Sequence, residues 1–189
     1  MRAFIAIPLP DNTHKELSLL QDRLRKSNAD IKWTNPADIH ITLKFLGDID
    51  EKAMSLIAQA VRDTSKQHTS FDISISKTGA FPSPLRPQTI WAGIHEDRPA
   101  CIILQKQIEL CTEKSVPKKE AREFFPHLTL GRLRSQRNKQ ALIKILEKEK
   151  DFSIITKIPV NKIVLFSSLL TQEGPVYSSL EKFPLTETL

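Results

Sequence analysis

Two short runs constrain this chain more than any other feature: Ile39-His40-Ile41-Thr42-Leu43 and Pro126-His127-Leu128-Thr129-Leu130. In a strand, residues two apart point to the same face. His40 and Thr42 therefore share a face, with Ile39, Ile41 and Leu43 on the other. His127 and Thr129 share a face opposite Leu128 and Leu130. Each strand packs an apolar side and presents an imidazole beside a hydroxyl. The two histidines lie 127 − 40 = 87 positions apart, and the same shift places Phe4 on Trp91, Ala6 on Gly93, Ile7 on Ile94, Leu17 on Leu104 and Leu43 on Leu130. The order strand, helix, strand, helix, strand occurs twice. We expect residues 1–189 to form a single two-lobed domain with an internal repeat offset of 87 residues. Two similar lobes packed face to face would set His40 against His127 across a shared cleft.

Hydrophobic periodicity supplies the elements. Strands are expected at Arg2–Leu9, Ile39–Leu46, Phe71–Ile75 continuing towards Ala80, Thr89–Ile94, His127–Leu130, Phe152–Ile158, Lys162–Leu169 and Val176–Phe183. Helices are expected from about Asn12 to Lys26, from Asp50 as cap to Gln67, from Pro99 to Glu113 and near Asn138–Lys148. The segment Phe81–Pro87 holds three prolines and reads as a loop. The charged stretch Lys118–Glu123 reads as a solvated loop. No apolar run approaches the roughly 18–20 residues a membrane helix needs. The apolar stretch before Pro8 is too short for a signal-peptide core, so a cytoplasmic location is the default. Cys101 and Cys111 fall on one helix, about 15 Å apart along it. That exceeds the roughly 7 Å a disulfide tolerates, and both read as reduced thiols.

A histidine followed two residues later by Ser or Thr is cheap, and His68-Thr69-Ser70 fits by chance in a polar stretch. The informative signal is the double occurrence inside apolar strands at equivalent points of the repeat. Zinc sites generally use three or four His, Cys or carboxylate ligands at characteristic spacings. No third ligand is evident here, and a paired threonine suits a phosphate better than a metal. His14 and His95 sit in charged surroundings and read as surface residues. Two imidazoles, each titrating near neutrality, can deprotonate a water on one side and protonate a leaving alkoxide on the other. Threonine hydroxyls can donate to non-bridging phosphate oxygens as charge builds. The net charge of +6 favours a polyanionic partner.

These runs, with Arg2-Ala3-Phe4-Ile5-Ala6-Ile7-Pro8-Leu9-Pro10, Trp33, Lys44-Phe45-Leu46-Gly47, Gly79-Ala80-Phe81-Pro82, Ile90-Trp91-Ala92-Gly93, Gly131-Arg132, Ser167-Ser168-Leu169 and Gly174 through Tyr177, make the chain resemble the two-histidine phosphoesterases. The resemblance is to the RNA 2′,3′-cyclic phosphodiesterases, once called 2′-5′ RNA ligases. It implies an α+β, bilobal fold with two antiparallel sheets around a central cleft. It implies hydrolysis of a terminal 2′,3′-cyclic phosphate on RNA to a 2′-phosphate, with no cofactor and no metal. It implies His40 as proton donor, His127 as proton acceptor and Arg132 as a phosphate contact, beside Thr42 and Thr129. Members have also been credited with reversible 2′-5′ joining of RNA ends. RNA ends are thus the expected partner, with no membrane, and a monomer is expected. Two alternatives stay open: a phosphodiesterase for another small cyclic phosphate, and an RNA-binding module that does no chemistry.

Strict alternation leaves one conflict. It puts positions 127, 129 and 131 on the cleft face and turns Arg132 away. A bulge or strand end at Gly131 would re-aim it. The same parity groups Lys44 with His40 and Thr42. Phe124 and Phe125 precede His127 and are candidates either for stacking on a base or for core packing.

Overall fold

A computed structural model describes residues 1–95, 97–116, 123–172 and 174–187. Strand β1 (Arg2–Pro8) leads to helix α1 (Asp11–Arg25), strand β2 (Ile31–Trp33), a 3-10 turn at Pro36–Asp38 and strand β3 (His40–Asp48). Helix α2 (Glu51–Ser65), strands β4 (Phe71–Ile73), β5 (Ile75–Ser83) and β6 (Arg86–Ile94), and helix α3 (Arg98–Thr112) follow. The chain then forms β7 (His127–Leu133), α4 (Lys139–Lys148), β8 (Ile158–Val160), β9 (Lys162–Leu170) and β10 (Pro175–Pro184). The helices lie within two residues of their expected bounds and bury the faces that the sequence dictates, although α1 starts at Asp11 itself without a side-chain cap. The Asp50 side chain caps α2 by accepting from the Ala53 amide at 2.7 Å. Leu17, Leu20 and Leu24 on α1, and Cys101, Leu104 and Ile108 on α3, recur at helical spacing and are wholly buried.

The strands pair throughout in antiparallel fashion, in the order β10-β9-β1-β3-β7-β6-β5, with β2 on β7 as well; β4 and β8 form a separate ribbon. The architecture is α+β. The two half-sheets meet at one register pair, Ile41 with Leu128, and 41 + 87 = 128. The ribbon is centred on Asp72 with Pro159, and 72 + 87 = 159. Helices α1 and α3, and strands β5 and β9, also begin and end 87 positions apart. The halves interlock. Strand β9 pairs with β1, and α3 packs on α2 and β3. In the other direction, Gln21 of α1 reaches the Leu130 carbonyl of β7.

Two expectations are corrected, and one strand lies outside them. Phe81–Pro87 is not a loop. It forms the end of a β5–β6 hairpin in which Pro82 faces Pro87 across the register. The prolines are tolerated because β5 is the sheet's edge strand and both lie near the turn, where ladder hydrogen bonds are dispensable. The strand expected at Phe152–Ile158 is present only from Ile158; upstream, Ser153 makes an isolated bridge to Ser76 and Ile155 stands 98% exposed. Strand β2 lies outside the expected elements, because three residues show no periodicity. Of the charged stretch, 118–122 lie outside the described residues.

Lys44 is also corrected. Its side chain does not join His40 and Thr42. It is buried on the helix side of β3, with Nζ donating to Glu109 Oε1 of α3 at 2.6 Å. Removing one partner of a buried ion pair strands the other's charge. Glu109→Ala should therefore destabilise the protein by roughly 3 kcal/mol in urea unfolding, while the double change Lys44→Met with Glu109→Leu should recover most of that loss.

Candidate active site

The direction of each site residue follows from two matching irregularities. On β1–β3, Ile5 pairs with Lys44 and Ala6 with Thr42, so Leu43 is an extra residue. On β6–β7, Ile90 pairs with Gly131 and Trp91 with Thr129, so Leu130 is extra. The bulges are equivalent, since 43 + 87 = 130. Each reverses the alternation downstream. Leu43 and Lys44 both turn inward, and so do Leu130 and Gly131. A side chain at 131 would meet Ile31 Cγ2 at 2.7 Å, which is why glycine stands there. Arg132 is thereby brought to the cleft face with His127 and Thr129, and Phe45 to the face of His40 and Thr42.

At the Ile41–Leu128 seam, the register extended by one residue sets His40 opposite Thr129 and Thr42 opposite His127. A cavity of about 490 Å³ is lined by His40, Thr42, Thr129 and Arg132, together with Arg2, Lys32, Phe45 and Tyr177. His127 does not line that cavity. It stands on the same strand face as Thr129, edge-on to Phe81 with ring centroids 5.0 Å apart. Arg132 Nη1 donates to Thr89 Oγ1 at 2.9 Å. Phe124 packs against the core, and Phe125 sits between Trp91 and the Arg98 guanidinium. Neither lines the cavity. His95 is exposed, but His14 is half-buried, with Nε2 3.3 Å from the Ile39 carbonyl. Tyr177, edge-on to His40 at 5.5 Å, and Lys32 and Arg2 were not singled out by sequence. A strand parity argument carried across both bulges finds Phe45; the others sit on strands that pairing alone brings to the cleft.

Both imidazoles are held alike. His40 Nδ1 donates to the Asp38 carbonyl at 2.7 Å and His127 Nδ1 to the Phe125 carbonyl at 2.7 Å. A carbonyl has no proton to give, so Nδ1 carries the hydrogen and the neutral ring keeps its lone pair on Nε2. Burial lowers the pKa of both rings. Their surroundings differ beyond that. The Asp38 carbonyl and carboxylate pull His40 back up, while protonated His127 and His14 push it down. For His127 the Phe125 carbonyl pulls up and Arg132 pushes down. Burial, then Asp38, also raises the Tyr177 phenol.

These shifts link to stability. Each folded pKa lies below its ordinary value of 6.5, so the unfolded chain takes up these protons first as pH falls. The stabilisation is fully present above about pH 6.5 and declines as pH drops through that value towards the folded ones. Denaturant melts from about pH 8 to about pH 5 should show this decline, and it should shrink in His40→Ala and His127→Ala.

The chain is 33% identical over 185 residues to a protein of Methanothermobacter thermautotrophicus named RNA 2′,3′-cyclic phosphodiesterase, covering 98% of this chain and 99% of that one. It is 32% identical over 190 residues to one of the same name from Aquifex aeolicus, covering 98% and 97%. A solved structure from Thermus thermophilus superposes with a TM-score of 0.81 at 25% identity, over 99% of both chains. The model of the LigT-like phosphoesterases matches residues 7–91 and 99–177, and the chain belongs to that family.

Proposed function

We propose that this chain hydrolyses the 2′,3′-cyclic phosphate at an RNA end to a 2′-phosphomonoester, with His40 as acid, His127 as base and no metal. The names of the relatives support the substrate class. The observation that carries the roles is the difference in neighbouring charge between two identically anchored imidazoles, both lowered by burial: the Asp38 carboxylate opposes the lowering at His40, against protonated His127 and His14, whereas Arg132 adds to it at His127. Nε2 of His127 takes a proton from water as the water oxygen bonds to phosphorus. The bond from phosphorus to the 3′ oxygen breaks, and Nε2–H of His40 protonates that oxygen. Thr42, Thr129 and Arg132 donate to the non-bridging oxygens, where charge develops. The cavity falls within the roughly 300–1,000 Å³ typical of small-molecule sites, and Arg2 and Lys32 extend its positive wall. Among the described residues, no three His, Cys, Asp or Glu side chains converge as metal ligands do. The equal spacing of the elements supports one two-lobed domain built from a repeat. One chain supplies every residue named, so a monomer suffices. No described helix is long and apolar enough to cross a membrane, and an RNA-directed activity fits the cytoplasm.

The direct assay incubates the protein with EDTA and an oligoribonucleotide ending in a 2′,3′-cyclic phosphate. A 2′-phosphate product is expected. Activity lost in EDTA and restored by a divalent ion would refute the metal-free mechanism, and turnover of small cyclic phosphates alone would refute the RNA assignment.

Roles are tested by substitution. Replacing either histidine by alanine should lower kcat by about 10²–10⁴-fold, and the pH–rate profile of the unaltered enzyme should be bell-shaped. The double variant should lose far less than the product of the single losses. A substrate with a good leaving group needs no acid, so it should rescue His40→Ala and leave His127→Ala inactive. The opposite rescue would exchange the two roles.

A further inference from the structure

Beneath the second bulge lies a buried amide that packing alone does not require. Gln21 of α1 is 0% exposed. Its Nε2 donates to the Leu130 carbonyl at 2.8 Å and to the Thr34 carbonyl at 2.8 Å, so both amide hydrogens are engaged. The Thr34 amide donates to the same Leu130 carbonyl at 3.0 Å. Leu130 is the extra residue whose insertion turns Arg132 into the cleft. Thr34 and its neighbours Trp33 and Asn35 form part of the cavity wall. One side chain therefore ties the bulge to the strand end that walls the site.

The other half shows that this is a choice. The position equivalent to Gln21 is 21 + 87 = 108, occupied by Ile108, which is also 0% exposed. Its helix, α3, packs on β3, where the first bulge lies. An apolar residue satisfies that location when the side chain re-aimed by the bulge is Phe45. The amide stands where the re-aimed side chain is a cation. It does so at a cost, since Gln21 Oε1 is buried without a hydrogen-bond partner among the described residues.

We propose that Gln21 is a positioning residue for Arg132, holding the bulge at Leu130 so that the guanidinium meets the substrate phosphate. This rests on the proposed role of Arg132 as a phosphate contact. Gln21 touches neither substrate nor the reacting atoms. It acts by supplying two hydrogens to carbonyls that a regular ladder would leave differently placed.

Gln21→Met keeps the length and volume and removes both donors. With the cyclic-phosphate oligoribonucleotide, kcat/KM should fall about 10-fold, chiefly through KM, short of the roughly 100-fold that a 1 Å misplacement can cost. In an Arg132→Ala background the same change should cost nothing further, whereas in a Thr42→Ala background the two losses should multiply. Losses that multiply in both backgrounds, or no loss at all, overturn the proposal. A second measurement uses the unaltered fold. In ¹H–¹⁵N spectra, titration with inorganic phosphate should shift the Gln21 side-chain amide and the Arg132 Nε–H with one common Kd, and Arg132→Ala should abolish the Gln21 shift. An unmoved Gln21, with or without movement at Arg132, overturns it. If the enzyme fails to turn over the RNA substrate, the proposed function falls, and the phosphate titration still decides the role of Gln21.

Discussion

The site depends on a narrow seam. Strands β3 and β7 meet at the single register pair Ile41–Leu128, on which both half-sheets converge. Because these two residues are 0% exposed and face the core, their neighbours on either side must face the cleft. Those neighbours are His40, Thr42, His127 and Thr129. An antiparallel pairing centred on equivalent residues sets each histidine beside the threonine of the other half. Moving the register by one residue would carry all four to the buried face.

Beyond the seam, the two bulges convert a symmetric frame into an unsymmetric site. Each inserts one residue and reverses the parity of the strand beyond it, so positions 45 and 132 reach the cleft while 44 and 131 turn inward. The occupants differ completely. One half presents a phenyl ring that is 58% exposed, and the other an arginine. On the inward side, one half buries Lys44 against Glu109, and the other has a glycine against Ile31. The two halves thus share a backbone pattern and differ in chemistry at four positions.

The same divergence separates two histidines that are anchored identically. Each Nδ1 donates to the carbonyl two residues upstream, and each ring is desolvated. Desolvation alone would leave both neutral and interchangeable. Both rings are shifted down by burial; the Asp38 carboxylate opposes that shift at His40, where protonated His127 and His14 add to it, and Arg132 adds to it at His127. The aromatic walls also differ: Phe4, Phe166 and Tyr177 surround His40, whereas Phe81 and Phe125 flank His127.

Local pattern by itself determined the helices, most strands, and which histidines and threonines share a face, because apolar periodicity and parity are properties of neighbouring residues. Parity misplaced Lys44 and left Arg132 in conflict, because a bulge is defined by the partner strand, and no residue of β3 or β7 alone announces that Leu43 or Leu130 is unpaired. Prolines between Phe81 and Pro87 suggested a loop, yet the edge strand for Pro82 and places at the turn for Pro84 and Pro87 made them compatible with a hairpin. Arg2 and Tyr177 stood in family-like runs with no role assigned, and Lys32 and Gln21 in none; strand order and helix packing bring them to the cleft and to Leu130 from distant parts of the chain. The candidate residues were legible because the same pattern recurs within two short strands. What tertiary structure decided is the company these histidines keep: the pairing of β3 with β7 sets each beside the threonine of the other half, and burial lowers the pKa of both rings.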